Sequence, residues 1–400
     1  LKDAAIDYLQ NFYMTEIAWT ADGQMLTTAN ETGVVTLLLA SLPVVNAAFG
    51  SRAAYLTSLL EMSIADVVTG WRVYVKLEAE PSLVAMGESH AAAGLNNQVW
   101  FYAVEEDQSQ PLDAAGVANT TKVIRHVTKR DYLGAVKAVC MNAQWAAVLA
   151  QGRVLLHAIE PSADLEDAMA ITLPEGDRGE VTCVAMTPAF LVYATDSGLV
   201  CYYDVGARAA VNEYRHARGT VRALYPNHSG TRVVLVDDSN DLWLYNPVND
   251  QVLEVPRFEG EFERIIWDLA QPHVFVVATR RELHCMLYTP VTISGPSVTL
   301  LGTDSLLTGH SPVTLNNGVV AVQGAGGELS RVRLHSHRHV QPLEAGAPLV
   351  PYEFTLDEHP PPGYVDVAIR YCGICGSDVH QIQDAWGTAS FPLVAGHEIV

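Results

Sequence analysis

The residues with the most chemistry lie near the C-terminal end. They are Tyr371-Cys372-Gly373-Ile374-Cys375-Gly376-Ser377-Asp378-Val379-His380 and, after an aromatic spacer, Gly396-His397-Glu398. A thiolate, a hydroxyl, a carboxylate and an imidazole follow one another in order. That is the layout of a zinc site, because zinc is held by soft thiolate and imidazole and leaves one position open for an oxygen. This chemistry starts at about residue 345 and is cut off at Val400. Everything before it reads as repeated short strands without such groups, so the chain is expected to be two proteins joined.

Composition limits what those strands do. Hydrophobic residues make up 49% and charged residues 17%, ample for a core. The formal net charge of -21 repels a phosphate backbone, which argues against DNA or RNA as partner. Cys140, Cys183, Cys201 and Cys285 sit inside apolar runs and read as buried small hydrophobes, without a disulfide framework; the compartment is expected to be reducing. Asn119-Thr120-Thr121 and Asn227-His228-Ser229 fit a glycosylation sequon that is common by chance. Val34 to Phe49, the longest apolar stretch, is interrupted by Pro43 and Asn46 and is too short for a membrane span. Leu1 is not an initiator methionine and Val400 ends inside a motif, so a fragment at both ends is expected.

The elements that precede the motif recur. One unit is Ile17-Ala18-Trp19, Ala21-Asp22-Gly23, Met25 to Ala29, Asn30 to Gly33, Val34 to Leu39. Others are Val181 to Val205 and Val221 to Tyr245, with further copies starting near Val84, Val136, Glu263 and Pro312. The interval is on the order of 40 to 50 residues, the period of a propeller blade. One small meander cannot bury both its faces, whereas radial stacking buries both. The expected fold is all-β, a WD40-like β-propeller of about seven blades. Arg52 to Ile64 reads as an outer strand or a short helix. Residues 105–130, with Glu105, Glu106, Asp107, Lys122, Arg125, Lys129 and Arg130, read as a surface loop or a helix-bearing insertion. Trp19, Trp100, Trp145, Trp243 and Trp267 are expected between blades. The lone Trp267-Asp268 dipeptide falls in the wrong part of the repeat and reads as chance. Gly324-Ala325-Gly326-Gly327 reads as a blade turn and not a phosphate loop. His335, His337 and His339 read as solvated residues at the start of a linker.

Several phrases of the repeat region resemble one family. Among them are Ser51-Arg52-Ala53-Ala54-Tyr55-Leu56-Thr57-Ser58-Leu59-Leu60-Glu61, Gly94-Leu95-Asn96-Asn97-Gln98-Val99-Trp100-Phe101-Tyr102, Asn212-Glu213-Tyr214-Arg215-His216 and Tyr245-Asn246-Pro247-Val248-Asn249-Asp250. In order and spacing they are similar to the second propeller of the WD repeat-containing protein 19 type subunit of intraflagellar transport complex A. The resemblance implies a non-enzymatic scaffold of the retrograde ciliary train. Its implied partners are other complex A subunits and adaptors for ciliary membrane-protein cargo. Its implied location is the cytoplasm, the cilium or flagellum, and the ciliary base. The family's first propeller and its helical repeats have no counterpart in these residues.

From about residue 349 the chain resembles the start of zinc-dependent medium-chain alcohol dehydrogenases of the cinnamyl-alcohol-dehydrogenase-like branch. Pro360-Pro361-Pro362-Gly363 and the strand Val365 to Tyr371 lead into Cys375. The resemblance implies Cys375 and His397 as zinc ligands, with Asp378 in support and Glu398 near the metal. It implies Ser377 and His380 as the proton relay. Cys372 is not at the family's ligand position. The third ligand, the structural-zinc cysteines and the half that would bind NAD(P) are expected beyond Val400. The domains are thus read as a propeller over 1–335, a linker over 336–348 and a truncated GroES-like dehydrogenase N-terminal domain over 349–400. Two alternatives stay open: a bifunctional chain whose tail continues into a complete zinc- and NAD(P)-dependent dehydrogenase, and a generic coat-type WD-repeat module.

Overall fold

The computed structural model describes residues 14–20, 25–39, 42–106, 122–160, 170–260, 262–290 and 295–334, with 340–342, 349–351, 372–373, 375–385 and 398–399 in the tail. Short strands rich in β-branched and aromatic residues are joined by tight turns. Seven of the antiparallel meanders close a ring. Six blades have four strands, over residues 46–76, 83–131, 136–173, 181–215, 221–254 and 262–305; blade 7, over 311–333, has three. The innermost strands are Asn46–Phe49, Leu83–Met86, Val136–Met141, Val181–Met186, Val221–Pro226, Phe262–Trp267 and Ser311–Asn316. Each lies against the next, and the last returns to the first. This is a WD40-like β-propeller.

Blade faces are buried on both sides, so the core divides into one apolar cluster per joint. Between blades 3 and 4, Trp145, Leu156, Leu191 and Tyr193 interlock; between blades 5 and 6, Val236, Leu244, Phe275 and Met286 do so. The joint between blades 7 and 1 differs. Its buried apolar cluster holds only Ala53, Tyr55, Ala65 and Val313 among the described residues. Polar contacts supplement it: Asn46 Nδ2 donates to Gln323 Oε1 at 2.9 Å, and Gln323 Nε2 donates to the Leu56 carbonyl at 3.0 Å. Thr314 Oγ1 donates to the Gly50 carbonyl at 3.1 Å, and Arg331 Nη2 to that of Val67 at 2.7 Å. Blade 7 also shows no fourth strand among the described residues. Its third strand, Leu329–Arg333, exposes Ser330, Arg331 and Arg333, whereas the equivalent Leu242–Asn246 of blade 5 is buried throughout.

Several expectations are corrected. Arg52–Ser58 and Glu61–Asp66 are the second and third strands of blade 1, neither an outer strand nor a helix. Neighbours cover both their faces, which erases the alternation that marks a strand. In 105–130 the described residues form a long hairpin. Gln98–Glu106 pairs with Lys122–Asp131, placing Lys122 opposite Glu106 and Arg125 opposite Ala103. Lys122 Nζ meets Glu106 at 2.8 Å and Arg125 Nε meets Glu105 at 2.7 Å, so the charged run is an outermost strand facing solvent. Residues 107–121 lie outside the described set. The unit at Met14–Leu39 forms a separate three-stranded sheet, since the ring closes without it. Trp19 there is 60% exposed, while Trp100, Trp145, Trp243 and Trp267 are buried as expected.

Trp267-Asp268 is not idle. Trp267 Nε1 donates to the Tyr225 carbonyl at 2.8 Å, tying blade 6 to blade 5. Asp268 is buried and accepts from the amides of Ala270, Gln271, Asn317 and Gly318 at 2.8, 3.2, 2.9 and 2.9 Å. One carboxylate therefore holds its own turn in blade 6 and the first turn of blade 7. The Gly324–Gly327 segment is the turn between the second and third strands of blade 7, with Gly327 at φ +79°. His335, His337 and His339 lie outside the described residues. The cysteine reading agrees in part: Cys201 and Cys285 are buried as expected, whereas Cys140 and Cys183 are half-buried on the innermost strands, and desolvation there pushes both thiols up to about 12.

Candidate functional site

Two places bring functional side chains together, the ring's central channel and the turn that starts the tail helix. The channel is lined by the innermost strands, which contribute Met86, Met141, Met186, Leu224 and Trp267, and has a volume of about 380 Å³. Phe49 and His228, from blades 1 and 5, meet edge-to-face with centroids 5.6 Å apart and narrow it at the first turns of those blades. Arg264 is the one charged Lys, Arg, Asp or Glu side chain in the lining. Its Nη1 donates to the Pro312 carbonyl at 2.9 Å and to Asn46 Oδ1. Burial draws Arg264 below its ordinary pKa, and the nearby Tyr225 and Glu263 offset part of that.

In the tail, Gly376–Ile382 is a helix of two turns. Cys375 is its N-cap: Sγ accepts from the Ser377 amide at 3.3 Å and lies 2.8 Å from Ser377 Oγ. The Asp378 carboxylate reaches back to accept from the Cys375 amide at 2.8 Å, completing a capping box. Asp378 is buried and His380 is exposed. Cys372–Gly373 pairs antiparallel with Glu398–Ile399, and Gly373 faces Glu398 across the ladder. The backbone thus brings the two parts of the motif to one place. His397 lies outside the described residues, and of Glu398 only the backbone is described.

Thiolate, imidazole and carboxylate would suit zinc, yet among the described residues no three His, Cys, Asp or Glu side chains converge on a common point. The described side chains of the motif, Cys375, Ser377 and Asp378, form the N-cap of the helix. No described helix is long and apolar enough to cross a membrane.

Arg264 escaped the sequence reading. One arginine in a strand of a repeat looks like any other, and its setting is made by residues far away in the chain. A cation in the inward-facing strand Phe262–Trp267 was the one available signal.

Comparisons with known proteins agree with this geometry. The family model described as WDR19 second beta-propeller matches residues 53–337, and the alcohol dehydrogenase GroES-like domain model matches 361–400. WD repeat-containing protein 19 of Mus musculus is 33% identical over 334 residues, 82% of this chain and 24% of that protein. The chain therefore spans about a quarter of the length of that relative. The tail is 46% identical over 56 residues to the aldehyde reductase YahK of Escherichia coli (strain K12), 14% of this chain and 16% of that protein. A chain in the crystal structure of a mitotic checkpoint complex matches with a TM-score of 0.51 at 12% identity, covering 73% of this chain and 86% of that one, a likeness of fold alone. With the family model covering most of a seven-bladed ring, the chain belongs to the WDR19 second beta-propeller family and carries an alcohol-dehydrogenase-like segment behind it.

Proposed function

We propose that this chain is a non-catalytic docking propeller of intraflagellar transport complex A, working in retrograde ciliary transport. The supporting observation is the family match over 53–337, which coincides with the ring. A ring of stacked sheets presents turns on two faces without large internal motion, which suits a scaffold. Its partners are other complex A subunits and adaptors that bring membrane-protein cargo into cilia. Its place is the cytoplasm, the ciliary base and the cilium. The net charge of -21 is consistent with protein partners and not nucleic acid. The test is the tagged full chain expressed in ciliated cells depleted of their own WD repeat-containing protein 19. Enrichment at the ciliary base and co-purification with complex A subunits are expected. A diffuse signal and no co-purification would overturn the reading.

A second reading concerns residues 361–400, which match a dehydrogenase domain model. There Cys375 and His397 are the zinc ligands, Asp378 and Glu398 support them, and Ser377 and His380 relay the alcohol proton. The observation in its favour is the Cys375–Ser377–Asp378 turn, already fixed by its own hydrogen bonds. Zinc content and NAD(P)-dependent alcohol oxidation of the purified full chain separate the readings. Stoichiometric zinc with turnover supports the second; the first expects neither.

A further inference from the structure

Among the described residues the channel lining holds one guanidinium and no carboxylate. Arg264 projects from the innermost strand of blade 6, and no described carboxylate lies within ion-pair distance of it. Both hydrogen bonds it makes are from Nη1 and end on neutral oxygens, the Pro312 carbonyl and the Asn46 amide. Arg264 lines the channel, and neither its Nε nor its Nη2 is a buried atom lacking a partner. A guanidinium offers five donors in a planar fork that matches a carboxylate. Removing it from water without an opposite charge is costly, and a bound anion offsets that cost.

The walls narrow the choice of anion. Asn46 and the Pro312 carbonyl hold Arg264, and the lining also includes the neutral polar side chains of Tyr225 and Thr314, while Met86, Met141, Met186 and Ile266 give apolar surface further along the channel. One guanidinium balances one negative charge, whereas a phosphate dianion would carry a second charge into a channel with no second Lys or Arg among its described lining residues. The surrounding methionines fit an alkyl chain of irregular shape.

We propose that the central channel is a binding site for a monoanionic carboxylate carried on a short apolar chain, with Arg264 pairing the carboxylate and the methionine-rich wall covering the chain. A peptide's free C-terminus and a free aliphatic acid present the same chemistry. The site is independent of the ciliary reading above.

The test uses the full chain and calorimetric titration, with the fluorescence of Trp267 in the channel wall as a second readout. Hexanoate is expected to bind saturably, with hexanol, hexylamine and inorganic phosphate at least tenfold weaker. Arg264→Gln is expected to weaken hexanoate at least tenfold, and Arg264→Lys less. Arg222→Gln removes a cation outside the channel lining and should leave hexanoate affinity within about threefold, and a weakening of at least threefold in Arg264→Lys keeps the test decisive if Arg264→Gln does not fold. A peptide Ala-Ala-Leu with a free C-terminus binding better than its amide identifies a peptide source; hexanoate binding alone identifies a free acid. Equal binding of hexanoate and hexanol, or full hexanoate affinity in Arg264→Gln, would overturn the proposal.

Discussion

Replacing Asp268 with alanine is expected to cost more stability than almost any other single polar substitution in the ring. The carboxylate accepts four backbone amides, two in its own turn and two from Asn317 and Gly318 of the next blade. Each hydrogen bond to a charged acceptor contributes about 1.5–3 kcal/mol. The amides of the exposed blade 6 turn recover water when the acceptor is removed, so they count for little. The Asn317 and Gly318 amides recover less, because Asp268 itself is 3% exposed. Losing these two gives about 3–6 kcal/mol for Asp268→Ala. Asp268→Asn keeps Oδ1 and three of its bonds but turns an NH2 toward the Gly318 amide, for about 2 kcal/mol. Urea denaturation of the full chain, followed by tryptophan fluorescence, measures both. An Asp268→Ala midpoint corresponding to less than about 1 kcal/mol would refute the idea that one carboxylate staples two blades.

Stability should fall as pH drops from 6.5 to about 4, through His157. Its pKa is lowered to about 4 by burial, and its Nδ1–H donates to the Ala158 carbonyl while Tyr132 Oη donates to Nε2 at 2.7 Å. The folded state holds the neutral ring, so the unfolded chain takes up the proton first. The contribution is fully present above 6.5 and lost as pH falls through the folded value, ~3 kcal/mol at most; the difference in stability between parent and His157→Gln across that window measures it. Gly198→Ala should destabilise by about 3 kcal/mol, since a Cβ there meets the Gly219 and His216 carbonyl oxygens at 2.8 and 2.9 Å in a left-handed turn. Gly176→Ala, also left-handed but in open space, should cost only about 1 kcal/mol; equal melting temperatures for the two variants would contradict the steric account.

The rhythm of the ring was legible because its turns are spelled locally: Asp196-Ser197-Gly198 and His228-Ser229-Gly230 each interrupt apolar runs. Strand type was less so. Ala53 to Leu56 are buried on both faces and show no period, and the charged Lys122–Asp131 strand looks like a loop until Gln98–Glu106 pairs with it. Asp268 was read as chance because two of its partners lie 49 and 50 residues away. Cys375, Ser377 and Asp378 announced themselves by type, since their contacts fall within one turn of chain. Arg264 did not, because Asn46 is 218 residues distant.

The joint between blades 7 and 1 makes this ring behave like a split washer. Six joints are gripped by large apolar clusters, which water cannot replace, while the seventh has only the small cluster of Ala53, Tyr55, Ala65 and Val313 and leans more on hydrogen bonds that water can supply in kind. Blade 7 also lacks, among the described residues, the outer strand that shields its neighbours. Thermal strain therefore concentrates there, and sub-global opening begins at Val319–Gln323 and Leu329–Arg333 before the fully buried Val233–Asp237 and Leu242–Asn246 of blade 5. Amide deuterium uptake should follow that order around the ring. A molecule too large for the channel mouth would then have a second route to the axis, sideways through the slit.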